Sequence, residues 1–73
     1  MINDEDFSKL PLEEQALYLW EHGRFVDLRR DNSYTIQLYA VGKLFYEVWY
    51  ENEDNQTEKI RRIDAEEVMN LYP

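Results

Sequence analysis

The chain has 73 residues and a formal net charge of −8, with 44% hydrophobic and 15% aromatic residues. That leaves room for one domain, residues 1–73, and the apolar content is too high for a disordered chain. The absence of cysteine excludes disulfides, Cys-ligated zinc and thiol chemistry.

The longest apolar run, Ala16 to Trp20, is far shorter than the ~20 residues that a membrane helix needs. Asp4, Glu5 and Asp6 stand where an export signal would carry Lys or Arg. A cytoplasmic location is therefore expected, with residues 1–10 read as a partly disordered N-terminus. The charge is uneven: −5 over residues 1–23, +1 over 24–50 and −4 over 51–73. An acidic surface repels phosphate backbones and anionic lipid, so neither nucleic acid nor membrane is expected as a partner.

In chain order, Pro11 suits the first turn of a helix, and Glu13 and Glu14 follow where the helix dipole favours negative charge. Leu12, Ala16, Leu19, Trp20 and Gly23 then recur at the spacing of one helical face. The spacing predicts a helix over 12–22, closed by Gly23 as a left-handed cap. Beyond it the period changes to two. Arg24 to Arg30, Tyr34 to Tyr39, Lys43 to Glu51 and Thr57 to Ile63 read as strands, separated by turn residues. Strands joined by such short turns form an antiparallel meander. Asp64 and Glu67 make a capping pattern that opens a short helix over 65–71. The expected fold class is α+β: a four-stranded antiparallel meander with an N-terminal helix on one face and a short C-terminal helix.

Parity suggests the register, because residues opposite each other in an antiparallel pair share a face. A two-residue loop at Gly42-Lys43 would place Glu47 among Ile36, Leu38 and Ala40, so a three-residue loop is expected, pairing Leu38 with Leu44 and Ile36 with Tyr46. Three-residue loops at Asp31-Asn32-Ser33 and Glu53-Asp54-Asn55 would pair Leu28 with Ile36, Val48 with Ile60, Glu47 with Arg61 and Trp49 with Lys59. One face would then gather the core around Leu28, Ile36, Leu38, Tyr46 and Val48 beneath helix 12–22. The other would mix aromatics with charge: Phe25, Arg29, Tyr39, Phe45, Glu47, Trp49, Lys59 and Arg61.

The stretch Leu17-Tyr18-Leu19-Trp20-Glu21-His22-Gly23, with Leu38-Tyr39-Ala40 and Tyr46-Glu47-Val48-Trp49-Tyr50 after it, resembles short uncharacterised bacterial proteins over residues 10–63. The resemblance implies a bacterial, stand-alone, cytoplasmic protein and brings no functional residue with it.

Candidate chemistry is sparse. An EF-hand counted from Glu51 would need Gly and Glu where Gln56 and Arg62 stand. His22 has no neighbouring Cys, Ser or second His to complete a nucleophile or metal set. Arg29-Arg30 and Lys59, Arg61 and Arg62 lie on the edge strands, where charge blocks unwanted pairing, and no phosphate-binding loop accompanies them. No catalytic residue, cofactor or metal ligand is assigned, and an enzyme is not expected. The expected function is a non-catalytic interaction protein, self-associating through the aromatic and charged face, with a homodimer or another protein as its partner. A strand-edge dimer is disfavoured by the five basic residues. An acidic decoy for a basic protein is the alternative, and an enzyme using convergent carboxylates the third.

Overall fold

The computed structural model describes residues 2–73. Three helices, α1 (Asp4–Ser8), α2 (Leu12–His22) and α3 (Ala65–Leu71), accompany strands β1 (Arg24–Asp31), β2 (Tyr34–Val41), β3 (Leu44–Glu51) and β4 (Thr57–Ile63). The strands form a four-stranded antiparallel sheet in the order β1-β2-β3-β4, and the architecture is α+β. Asp64 caps α3 as its position implies, its Oδ1 accepting the Glu67 N–H at 2.8 Å.

Met1 lies outside the described residues, and the segment that follows it forms a short helix. Asn3 caps α1 by accepting the Asp6 N–H, the acids Asp4, Glu5 and Asp6 sit in its first turn, and Phe7 is only 4% exposed. What reads as a charged, frayed end is a capped turn that carries one anchor into the core. Pro11 likewise stands one position outside α2, where its carbonyl accepts the Glu14 and Gln15 N–H groups.

Two of the three expected loops are shorter than parity suggested. Asp31 pairs with Tyr34 and Val41 with Leu44, so Asn32-Ser33 and Gly42-Lys43 are two-residue turns. Asn32 (φ 55°) and Gly42 (φ 61°) supply the positive φ at the first central position that such turns need. Leu38 therefore opposes Glu47 rather than Leu44, and Ile36 opposes Trp49 rather than Tyr46. In β1 it is Arg29, not Leu28, that opposes Ile36, and a bulge at Val26 shifts the register again before Phe25 meets Tyr39. The β3–β4 pairs Val48 with Ile60, Glu47 with Arg61 and Trp49 with Lys59 agree with the expectation, as does a left-handed Asn55 at φ 58°.

These registers redistribute the faces. Val41, Tyr39, Tyr46 and Val48 share one face and form the core with Leu19 of α2 and Phe7 of α1. Ile36 and Leu38, expected beneath α2, lie on the opposite face with Glu47; all three have no exposure. Phe25 and Tyr39, expected among the charged residues, lie on the helix side.

Gly23 closes α2 in an extended conformation (φ −84°, ψ 161°), not the left-handed one. It is required for space: a Cβ there would stand 2.6 Å from the Leu19 carbonyl oxygen, which also accepts the Gly23 N–H at 2.8 Å. Gly23→Ala should therefore destabilise the fold by about 1–3 kcal/mol, as overpacking does, read as a lower urea midpoint at unchanged slope. An unchanged midpoint would show that the α2–β1 junction can yield.

Candidate functional site

The sheet register delivers a carboxylate into a setting that its residue type ordinarily avoids. Glu47, in the middle of β3, is 0% exposed on the face it shares with Ile36 and Leu38. An unpaired charge there would be strongly unfavourable, and donors reach it from β1, β3, β4 and the end of the chain. From β1, Arg29 Nε donates to Oε2 at 3.0 Å and Nη2 to Oε1 at 3.4 Å. From β4, Arg61 Nε donates to Oε1 at 3.1 Å. Trp49, two positions along β3, adds its indole N–H at 3.2 Å, and the Tyr72 hydroxyl donates to Oε2 at 2.7 Å from the end of the chain.

The surroundings extend the cluster outward. Lys59 Nζ stands 4.1 Å from the centre of the Trp49 ring and the Arg29 guanidinium 5.4 Å from it, with the Tyr72 ring 5.8 Å from Arg29. Glu67 of α3 pairs with Arg61 at 3.4 Å, balancing the second arginine. Burial alone would push the Glu47 carboxyl up, but hydrogen bonds from Arg29, Tyr72 and Arg61 and the charge of Arg29 outweigh it and hold it below the usual glutamate range. Burial and the Glu47 hydrogen bond together push the Tyr72 hydroxyl above the usual phenol range. A carboxylate with its lone pairs occupied and a depressed pKa is a poor general base. What the arrangement does is join β1, β3, β4 and the chain end.

The eight residues expected to share one surface thus divide. Arg29, Glu47, Trp49, Lys59 and Arg61 come together in this cluster, and Phe45 lies on the same face opposite the buried Ile63. Phe25 and Tyr39 meet on the helix side, ring centres 5.9 Å apart. Tyr72 is absent from the expected set, since nothing local marks a chain-terminal tyrosine as a ligand of a mid-sheet glutamate. Trp20 and Leu28 are missed too, because helical and strand parity assigned both to the core. They are 51% and 41% exposed.

Around Tyr39 the helix side is incompletely covered. Helix α2 packs on β2, β3 and β4, while Phe25 at the edge is 50% exposed. The Trp20 indole N–H donates to the Tyr50 hydroxyl at 2.9 Å, spanning from α2 to the sheet. Burial pushes the Tyr39 hydroxyl up, and that hydroxyl donates to Gln37 Oε1 at 2.9 Å. Trp20 on α2 and Phe25 on β1 thus both leave large aromatic surfaces open on the helix side. A depression of 640 Å³ between the start of α2 and β4 is lined by Pro11, Leu12, Ala16, Trp20, Gln56 and Thr57, with Glu13 as its one ionisable group. His22 stays in the exposed last turn of α2, its ring 4.6 Å from that of Tyr18. Among the described residues no three His, Cys, Asp or Glu side chains gather as metal ligands.

The Glu47 cluster sets the expected pH response. A carboxyl held below its ordinary value of 4.5 contributes stability above that pH, lost as pH falls through the depressed value. Tyr72, held above 10.0, contributes stability below that pH, lost as pH rises further. Unfolding free energy should therefore be flat between these limits and fall on both sides. Glu47→Ala should cost about 3–5 kcal/mol at neutral pH, as removing one partner from a buried ion pair does, and should flatten the acid limb. An acid limb unchanged in Glu47→Ala would assign it to other carboxylates.

Comparison of the chain with protein-family models, with curated proteins and with solved structures finds no match.

Proposed function

We propose that the chain is a non-catalytic protein-interaction module whose partner is a second copy of itself, docked at the β1 side of the sheet. The observation that carries this reading is the half-exposed aromatic and aliphatic strip of Trp20, Phe25 and Leu28 on the helix side. Large apolar side chains gathered at one edge of so small a sheet usually mark a contact surface. Aromatic residues of this kind also dominate interface energetics. The choice of a second copy follows from size. A chain of 73 residues without cysteine has a small core, and pairing two subunits adds buried apolar area. The charged groups on the opposite face serve Glu47 within the chain, which leaves the β1 side as the better candidate.

Solution mass tests this reading. Wild type should have the mass of two chains at concentrations on the order of 100 μM, and Leu28→Glu that of one, with an unchanged circular dichroism spectrum. A wild type that keeps the mass of one chain rejects it. An acidic decoy for a basic protein is the second reading, resting on the net charge of −8, although the acids gather at the β3–β4 turn and the chain ends rather than along one face. Capture of a basic protein by the monomer, lost above ~0.2 M salt, would support it instead.

A further inference from the structure

We infer that the second copy docks strand to strand, its β1 running antiparallel to this β1 with Leu28 on the two-fold axis; this rests on the self-association proposed above and names its geometry.

The backbone supplies the first argument. With Asp31 and Tyr34 closing a two-residue turn, hydrogen-bonded and non-hydrogen-bonded pairs alternate along β1–β2. Leu28, opposite Gln37, then falls in a non-hydrogen-bonded pair, so its N–H and C=O point out from the sheet edge. The structure agrees: the Leu28 N–H is taken by the Asp27 side chain, Oδ1 at 2.7 Å. A side-chain oxygen occupies the place where a partner strand would present a carbonyl.

The bulge supplies the second. A two-fold axis perpendicular to the sheet can pair only residues that lie on the same face. Arg24 and Asp31 would fall on opposite faces of an unbroken strand. The extra residue at Val26 corrects the phase, because Arg24 opposes Ala40 and Asp31 opposes Tyr34, which share a face of β2.

Charge supplies the third. With Leu28 self-paired and Val26 bulged out, Arg24 meets the partner's Asp31 and Phe25 meets the partner's Arg30, while Arg29 stays engaged with Glu47 of its own chain. The opposite-charge contact between the two copies occurs twice by symmetry. Among the described residues, Arg24, Asp27 and Asp31 form no ion pair within the chain. Of the basic residues on this strand, Arg24 is thus matched by an acid, Arg30 faces an aromatic ring and Arg29 is neutralised by Glu47 within the chain. The other edge lacks this self-complementarity: β4 paired with itself about Ile60 would set Lys59 against the partner's Arg61.

The test is a charge exchange between two exposed positions. Arg24→Asp leaves acids at both ends of β1, and Asp31→Arg leaves bases at both ends. Each variant alone should weaken the dimer about tenfold or more, read as the dissociation constant from sedimentation. An equimolar mixture of the two should recover the wild-type constant, since every end pair is again of opposite charge. Single variants that dimerise like wild type, or a mixture that stays weak, would overturn the strand pairing while a wild-type dimer left self-association standing on another surface. A monomeric wild type would remove both.

Discussion

A carboxylate buried without exposure in the middle of a sheet is the constraint around which this small protein is organised. Taking a single charge out of water costs several kcal/mol, and the cost is offset only where geometry and remaining hydrogen bonds are both good. Here the Glu47 oxygens receive Arg29, Arg61, Trp49 and Tyr72 at 2.7 to 3.4 Å. Those groups come from β1, β4, β3 itself and the end of the chain. A one-residue slip of any neighbouring strand would turn the Glu47 partner to the other side of the sheet. The charge therefore enforces register where the apolar residues alone would tolerate alternatives. By the same contact it ties Tyr72 and the C-terminal segment to the sheet.

β1 shows how one strand serves two ends. Its Arg29 is the inward anchor of the Glu47 cluster, while Phe25 and Leu28 face the helix side without full cover. A lone edge strand with outward N–H and C=O groups invites unwanted pairing, and natural sheets blunt it with charge or bulges. Both devices are present in β1, and the Asp27 side chain adds a third by holding the Leu28 N–H. The exposed charges near its two ends, Arg24 and Asp31, are of opposite sign.

Much of the fold was legible in the sequence. Helical spacing placed α2 and α3, turn chemistry separated the strands, and the Asp64 pattern located a real cap. The failures have a common origin. Parity disfavours the shorter Gly42-Lys43 turn because it places Glu47 among apolar residues, a sound rule for a charge considered alone. Its partners lie 18 and 14 residues away in Arg29 and Arg61, so no local pattern announces them. The cross-strand pairing of Glu47 with Arg61 was still readable, since that hairpin's turn was close to the expected one. Phe7 was missed because three adjacent acids read as a solvated end, although Asn3 before them is a standard cap. The Val26 bulge has no signal of its own in sequence.

The central claim is that Glu47 is ionised and fully engaged inside the folded sheet. Its side-chain carboxyl resonance, followed by carbon NMR as pH is lowered, tests this most directly. The carboxyl should stay ionised well below the ordinary value of 4.5, and its protonation should coincide with loss of the native spectrum. A midpoint at or above 4.5 in a protein that remains folded would contradict it.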